Sequence, residues 1–429
     1  MKQNQNMGST ASGDRITSLI NSTISHELSM LPKPSIFRAP TILYRLNPQA
    51  YIPDAFSFGP LHHDKPNLKP AEKIKARYLR GLISRLRSPD RDTKLRELVR
   101  SIEAVEREAR QCYAGQIDYT PDKFIQILVI DGCFIIELLR KNAYHELREE
   151  DDPIFTMSCM LQFLNHDLIL LENQVPWMVL ERLFCMTMED VDQCSLMQLA
   201  MEFFAHIFSS TRSSTSPAHV DRAILQDIEH ILDLLRKLLI SSVGGDEERE
   251  LGWRPMPSAS NLAEAGIKFR TRKESHSILD IDFKNGVLEI PLLLIEETTE
   301  TIFRNLISFE QCYPNCEARF TSYAVLLDNL INTTKDVEIL CDNNIIANWL
   351  SPEDAVQFFN KLYHNSYVKE FYYKRVCRDV NKYCQRRLPR WRAVLVRNYF
   401  NNPWAILSIL VVFASLILSL LQTVFTIKQ

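Results

Sequence analysis

A chain of 429 residues with 46% hydrophobic content can bury a large core, which excludes a disordered chain and suggests two or three units of ordinary domain size. A formal net charge of −3 provides no global positive field, so nucleic acid is excluded as an expected partner. Ten cysteines are spread between Cys112 and Cys384. They read as reduced core residues, because a disulfide framework needs an oxidising compartment and is usual in small domains.

In chain order, residues 1–34 form a polar leader expected to be disordered, without the apolar core of a secretory signal. Residues 35–400 form the main body, with sub-lobe breaks suggested near 209–219 and 241–258 by Ser/Thr-rich and Gly/Pro-rich composition. Ile36-Phe-Arg-Ala-Pro40 and the stretch from Tyr51 to Pro60 are punctuated by proline and read as extended. A helix starts near Pro70, with Tyr78, Leu79, Leu82, Ile83 and Leu86 on one face and Arg77, Arg80, Arg85 and Arg87 on the other. Thr120-Pro121-Asp122 caps a helix that is apolar on nearly every face from Phe124 to Leu139. A second buried helix is expected from Asp167 to Thr187, kinked where Pro176 deprives the Glu172 carbonyl of its partner.

The spacing from Ile224 to Leu239 predicts an amphipathic helix, and 258–266 a short helix with Ser258 as cap and a terminal glycine. Leu279, Ile281 and Phe283 then alternate with charged residues up to Asn285-Gly286, a favoured two-residue turn, and Leu288, Ile290 and Leu292 answer across it. This hairpin should set Phe283 against Leu288, Ile281 against Ile290 and Asp282 against Glu289, the last a like-charge pair on a solvated face. From Thr301 the chain reads as helical again, with Ser351-Pro352-Glu353-Asp354 as a start signal.

Residues 403–427 carry no charge, and about 20 apolar residues match the thickness of a bilayer core. Trp404, Ala405, Leu410 and Leu421 mark this expected anchor, while Arg386, Arg387, Arg390, Arg392 and Arg397 precede it and only Lys428 follows. By the positive-inside rule the body is cytosolic and the span is single. The fold class expected is therefore a mainly α-helical cytosolic body with one small β hairpin, plus a C-terminal transmembrane helix. Ser415 and Ser419 leave self-association of the span open. Asn21-Ser-Thr and Asn332-Thr-Thr would be glycosylation acceptors only in a lumenal body.

The ordered motifs resemble the plant domain-of-unknown-function 247 family. They run through Phe58-Gly-Pro-Leu-His-His63, Asp131-Gly-Cys-Phe134, Leu171-Glu-Asn-Gln-Val-Pro176, Ala263-Glu-Ala-Gly-Ile-Lys-Phe269, Asn305-Leu-Ile-Ser-Phe-Glu-Gln-Cys312 and Asn398-Tyr-Phe-Asn-Asn-Pro-Trp404. Ala39 and Phe58 stand where valine and isoleucine are expected. The resemblance implies a plant membrane protein with one C-terminal span and no agreed activity, and in grasses some relatives are implicated in pollen self-incompatibility. The expected location is a membrane, the plasma membrane ahead of the endoplasmic reticulum, with the lipid bilayer and an unidentified protein as partners.

Several clusters could carry chemistry. His62-His63-Asp64 could bind metal or relay a proton, yet without a second ligand set it reads as a surface turn. Cys312 and Cys316 lack a matching pair and read as core or interface thiols. Asp131 and Glu137, in an apolar helix, are expected to bond an arginine or backbone group elsewhere, because unpaired buried charge is costly. Glu172, Asn173 and Gln174 should satisfy backbone groups near Pro176. No Walker loop, dinucleotide glycine fingerprint, Gly-x-Ser-x-Gly elbow or His-Glu-x-x-His helix occurs. The expectation is a non-catalytic interaction or signalling protein without cofactor or metal, with a membrane-tethered enzyme as the alternative.

Overall fold

The computed structural model describes residues 15–18, 20–21, 34–86, 91–188, 193–205, 227–240, 253–273, 277–296, 298–314, 316–348, 350–386 and 403–428. Proline keeps the segment 34–68 out of long helices. It holds α1 (Thr41–Tyr44) and two 3-10 turns, Pro48–Tyr51 and Pro66–Leu68, each of the turns opening on a proline whose missing amide is harmless there. The segment is nonetheless part of the core. Ile36, Phe56 and Phe58 are wholly buried, and Asn305 Nδ2 donates to the Ala50 carbonyl at 2.7 Å from the far end of the chain.

Helices α2 (Lys69–Arg85), α3 (Arg91–Glu103) and α4 (Glu106–Gln111) precede α5 (Pro121–Ala143). The N-cap of α5 is Thr120, whose side chain accepts from the Lys123 amide, and Pro121 is its first residue. Because α5 is apolar nearly all round, it sits at the centre, ringed by α2, α3, α7 (Trp177–Met186) and α8 (Leu196–Phe204). Gly132 lets α7 approach: a Cβ there would lie 2.5 Å from Leu183 Cδ1.

The continuous helix expected from Asp167 to Thr187 is absent. Instead α6 (Ser158–Leu168) ends, residues 169–176 run non-helically, and Pro176 is the N-cap of α7. Pro176 disfavours helical backbone at Val175, and the side chains of Asn173 and Gln174 bond the carbonyls that a continuing helix would have used: Asp167 O at 2.9 Å, Leu168 O at 2.7 Å and Leu170 O at 2.8 Å.

Helix α9 spans Ile231–Ile240 rather than starting near Ile224, which lies outside the described residues. Asp227 has a left-handed backbone (φ 56°) and the Glu229 carbonyl is taken by the Trp177 amide at 2.8 Å. Helix α10 (Ala259–Glu264) ends before Gly266 (φ 86°) as expected, but the Ser258 side chain makes no cap bond; the carboxylate of Asp336 accepts from the Ser260 amide instead.

The lone hairpin of the sequence reading is two sheets. Strands β1 (Lys268–Thr271), β2 (Asp282–Lys284) and β3 (Val287–Ile290) form one in the order β1-β3-β2, with β1 parallel to β3; β4 (Leu293–Ile295) pairs in parallel with β5 (Ile346–Asn348). The hairpin register places Phe283 against Leu288 and Asp282 against Glu289 as expected, while Ile281 precedes β2. Asn285 and Gly286 both have positive φ, as the tight turn requires. The Asp282–Glu289 repulsion is offset by Arg272, whose Nη1 lies 3.5 and 3.8 Å from the two carboxylates. The partners β1 and β5 escaped sequence reading because a short strand paired in parallel has no adjacent turn to announce it.

Helices α11 (Thr299–Cys312), α12 (Arg319–Leu330), α13 (Thr334–Asp342), α14 (Pro352–Leu362) and α15 (Lys374–Cys384) complete the body. The Ser351 side chain caps α14 by accepting from the Asp354 amide. One contiguous buried cluster runs from Ile36 to Val380 and draws on helices either side of both suggested sub-lobe breaks. Of those breaks, 209–219 lies outside the described residues and so does 241–252. All ten cysteines are free thiols, but only Cys133 and Cys377 are buried in the core as expected, and Cys159 and Cys185 are exposed. The chain then has a 26-residue helix, α16 (Pro403–Lys428).

Candidate functional site

A connected set of buried polar side chains forms where α2, α5 and the 169–176 loop meet the segment 54–62. On α2, Ala71, Lys75, Tyr78 and Leu82 share one buried face, which turns a lysine inward. Its Nζ lies 2.7 Å from Asp131 Oδ1 on α5 and 2.7 Å from Glu72 Oε1, and it also donates to the Ser57 carbonyl. The other Asp131 oxygen accepts from the Gly59 amide at 2.8 Å. Burial pushes the Asp131 carboxyl up to about 6, opposed by the Lys75 charge. Gly59 is required here: its φ is +68°, and a Cβ would lie 2.5 Å from the Gln174 carbonyl oxygen and 2.7 Å from Tyr113 Oη.

The loop 169–176 clamps the same segment. Asn173 Oδ1 accepts from the Phe58 amide at 2.7 Å and its Nδ2 donates to the Phe56 carbonyl at 2.9 Å. Gln174 Oε1 accepts from the Leu232 amide at 3.3 Å, and Glu172 Oε1 accepts from the Ala39 amide at 2.9 Å. The polar residues before Pro176 thus serve backbone groups, as expected, although those groups lie on distant loops as well as nearby. Asp131 and Glu137 are likewise paired: Glu137 takes both terminal nitrogens of Arg85, at 2.8 and 2.6 Å.

His62 corrects the expected surface turn. Its side chain is 5% exposed, with Nε2 3.5 Å from Glu172 Oε2 and neither ring nitrogen in a hydrogen bond among the described residues. Burial, reinforced by Lys65 and Arg38, depresses its pKa to about 3, so the ring is neutral at ordinary pH. His63 is half-buried, and only Asp64 is exposed, accepting from Tyr119 Oη at 2.6 Å. The pair of rings is drawn inward because Phe56 and Phe58 stack with Phe134 of α5 and carry the loop with them.

One group among the described residues has metal-ligand types in reach of one another: Asp54, His166 and Asp167, with ligand atoms within 4.8 Å. Asp167 is already committed, accepting from the amides of Asp54, Ala55 and Phe56 at 2.7, 2.9 and 2.7 Å, while His166 Nδ1 lies 3.0 Å from it. This carboxylate holds the loop. Sequence inspection missed Lys75, Asp167 and Asn305; for Lys75 the available signal was its helical spacing with Tyr78 and Leu82, which puts a cation on an apolar face.

The residues expected to mark an anchor lie apart from this cluster. Trp404, Ala405 and Leu410 lie within α16, though their side chains are outside the described residues; Leu421 is 49% exposed. Arg386 is exposed, its guanidinium 5.8 Å from the Tyr383 ring, while Arg387, Arg390, Arg392 and Arg397 lie outside the described residues. Among the described residues no helix is long and apolar enough to cross a membrane; in α16 the unbroken run with described side chains is 411–421. In that run Val411, Val412, Phe413, Leu416, Ile417, Leu418, Leu420 and Leu421 are each between 46% and 65% exposed. At about 100° per residue they surround the helix without a gap wider than about 100°.

Comparison with known proteins agrees with the ordered motifs. The chain is 29% identical to UPF0481 protein At3g47200 of Arabidopsis thaliana over 415 residues, covering 90% of this chain and 85% of the relative. It is 21% identical to Putative UPF0481 protein At3g02645 of the same plant over 486 residues, covering 90% and 89%. No solved structure matches. The model of the family described as plant protein of unknown function, DUF247, matches residues 36–418, from the first buried loop into α16, and the chain belongs to that family.

Proposed function

We propose that this protein is a membrane-anchored interaction or signalling component in which α16 crosses a bilayer once and holds the helical body at its cytosolic face, the plasma membrane ahead of the endoplasmic reticulum. The single observation that carries this is the ring of exposed apolar side chains on α16. A helix apolar on all sides is stable only when surrounded by apolar matter, and the uncharged sequence from Pro403 to Ile427 exceeds the ~20 residues that span a hydrocarbon core.

A non-catalytic role is supported by how the body's buried acids are used. Asp131, Asp167 and Glu310 each hold loop or helix-start amides in place, Glu310 accepting from Phe320 and Thr321 at 2.9 and 2.8 Å. A role in pollen recognition rests on resemblance to grass relatives alone, and absence of the transcript from reproductive tissue would remove it. The membrane reading is tested by alkaline carbonate extraction of the full chain from plant membranes, combined with protease protection of a tag placed before Met1. Retention in the pellet with the tag accessible from the cytosol supports it. Release into the carbonate supernatant overturns it.

A further inference from the structure

We propose that α15 and the tip of the β2–β3 hairpin dock on an anionic lipid leaflet and so set how the body stands on the membrane; this rests on the anchoring proposed above. Charge is segregated along the chain. Nine of its 50 Lys and Arg residues lie between Lys374 and Arg397 against a single acid, Asp379, whereas residues 1–373 carry twelve more acids than Lys and Arg. An anionic surface repels the bulk of such a body and attracts the part next to the anchor.

The structure turns that composition into a face. Val376, Cys377 and Val380 of α15 are buried in the body. Lys374, Arg375, Arg378 and Lys382, with Arg386 just past the helix end, lie on the opposite side within an arc of about 120°. Asp379 stands at the edge of this stripe, 3.3 Å from Arg378 Nε. The hairpin is seated on the same helix. Phe283 meets the Tyr383 ring edge-on at 5.7 Å, and Gly286 lies against the Tyr383 hydroxyl, where a Cβ would be 2.5 Å away. Lys284, 77% exposed, is thereby set beside the stripe. Of the acids on the hairpin, Asp282 is surrounded by Lys284 at 2.5 Å, Arg272 at 3.5 Å and Arg375 at 3.8 Å, and Glu289 opposite it lies 3.2 Å from Arg270 and 3.8 Å from Arg272.

Sixteen residues separate Arg386 from Pro403, four of them arginines, and even fully extended they reach no further than about 55 Å. The stripe is therefore tethered within reach of the headgroups. Since its apolar side is occupied by the core, attraction is by charge alone and weakens with salt.

The test compares the full chain in nanodiscs of phosphatidylcholine with the same chain in discs containing phosphatidylserine, reading amide hydrogen exchange over 374–386. Exchange should slow at least ~3-fold in the anionic discs and recover in high salt. The variant Lys284→Glu/Lys382→Glu/Arg386→Glu, all exposed positions, should insert and melt like the parent yet lose the difference. Insertion with equal exchange in both discs overturns this proposal and leaves the anchor standing. Failure to insert in either disc overturns the anchor and this proposal with it.

Discussion

Lys75 Nζ lies 2.7 Å from Asp131 Oδ1 across the interface of α2 and α5, and both side chains are closed to solvent, at 0% and 1% exposure. Removing one partner strands the other charge together with the Ser57 carbonyl or the Gly59 amide. Lys75→Met and Asp131→Leu should each destabilise the body by about 3–5 kcal/mol, and the double variant by clearly less than their sum. Chemical denaturation of the full chain in detergent, followed by tryptophan fluorescence, measures the cycle; strict additivity would show that the pair is not coupled.

Gly59→Ala should be strongly destabilising, because the new methyl group meets the Gln174 carbonyl and Tyr113 hydroxyl at a positive φ. Asn173→Ala should act on the same loop by leaving the Phe58 amide and Phe56 carbonyl buried without partners, at about 1–3 kcal/mol for each group. Limited proteolysis should move to residues 54–62 in both variants. Unchanged resistance there would show that the 169–176 loop does not hold that segment.

His62 gives the stability a pH dependence with a definite sign. Its pKa is depressed to about 3 in the folded protein from a usual 6.5, so the unfolded chain binds the proton first. The stability is full above about pH 6.5 and is lost as pH falls towards 3. His62→Gln removes that dependence. Between pH 6.5 and 5.0 the parent should lose about 1–2 kcal/mol more than the variant, a difference that cancels the opposing contributions of raised carboxyls such as Asp131 and Glu172. Parallel stability profiles for the two proteins would contradict the assignment.

Within α16, Leu416→Arg combined with Leu418→Arg places two cations where the parent exposes leucines. Each arginine at the centre of a span costs about 2.5–3.5 kcal/mol of insertion free energy. The double variant should appear in the carbonate supernatant while its body keeps the parent's circular dichroism. Retention equal to the parent would argue that α16 is not the anchor.

Much of the architecture is written in local pattern. The Thr120 and Ser351 caps, the apolar run of α5, the Asn285-Gly286 turn and its register, and the uncharged stretch of α16 all depend on neighbours within a few residues, where periodicity and capping chemistry suffice. The chain's charge segregation also needs no structure to be seen.

Tertiary structure alone decided where the buried polar groups go. Glu172 reaches Ala39, Asn173 reaches Phe58, Asp167 reaches residues 54–56 and Asn305 reaches both Ala50 and Leu171. Partners more than a hundred positions apart leave no periodic trace, since what unites them is the requirement that each buried donor and acceptor be matched. The same requirement broke the expected helix before Pro176 and drew His62 inside. Only packing could choose among the many sequence-compatible ways of meeting it.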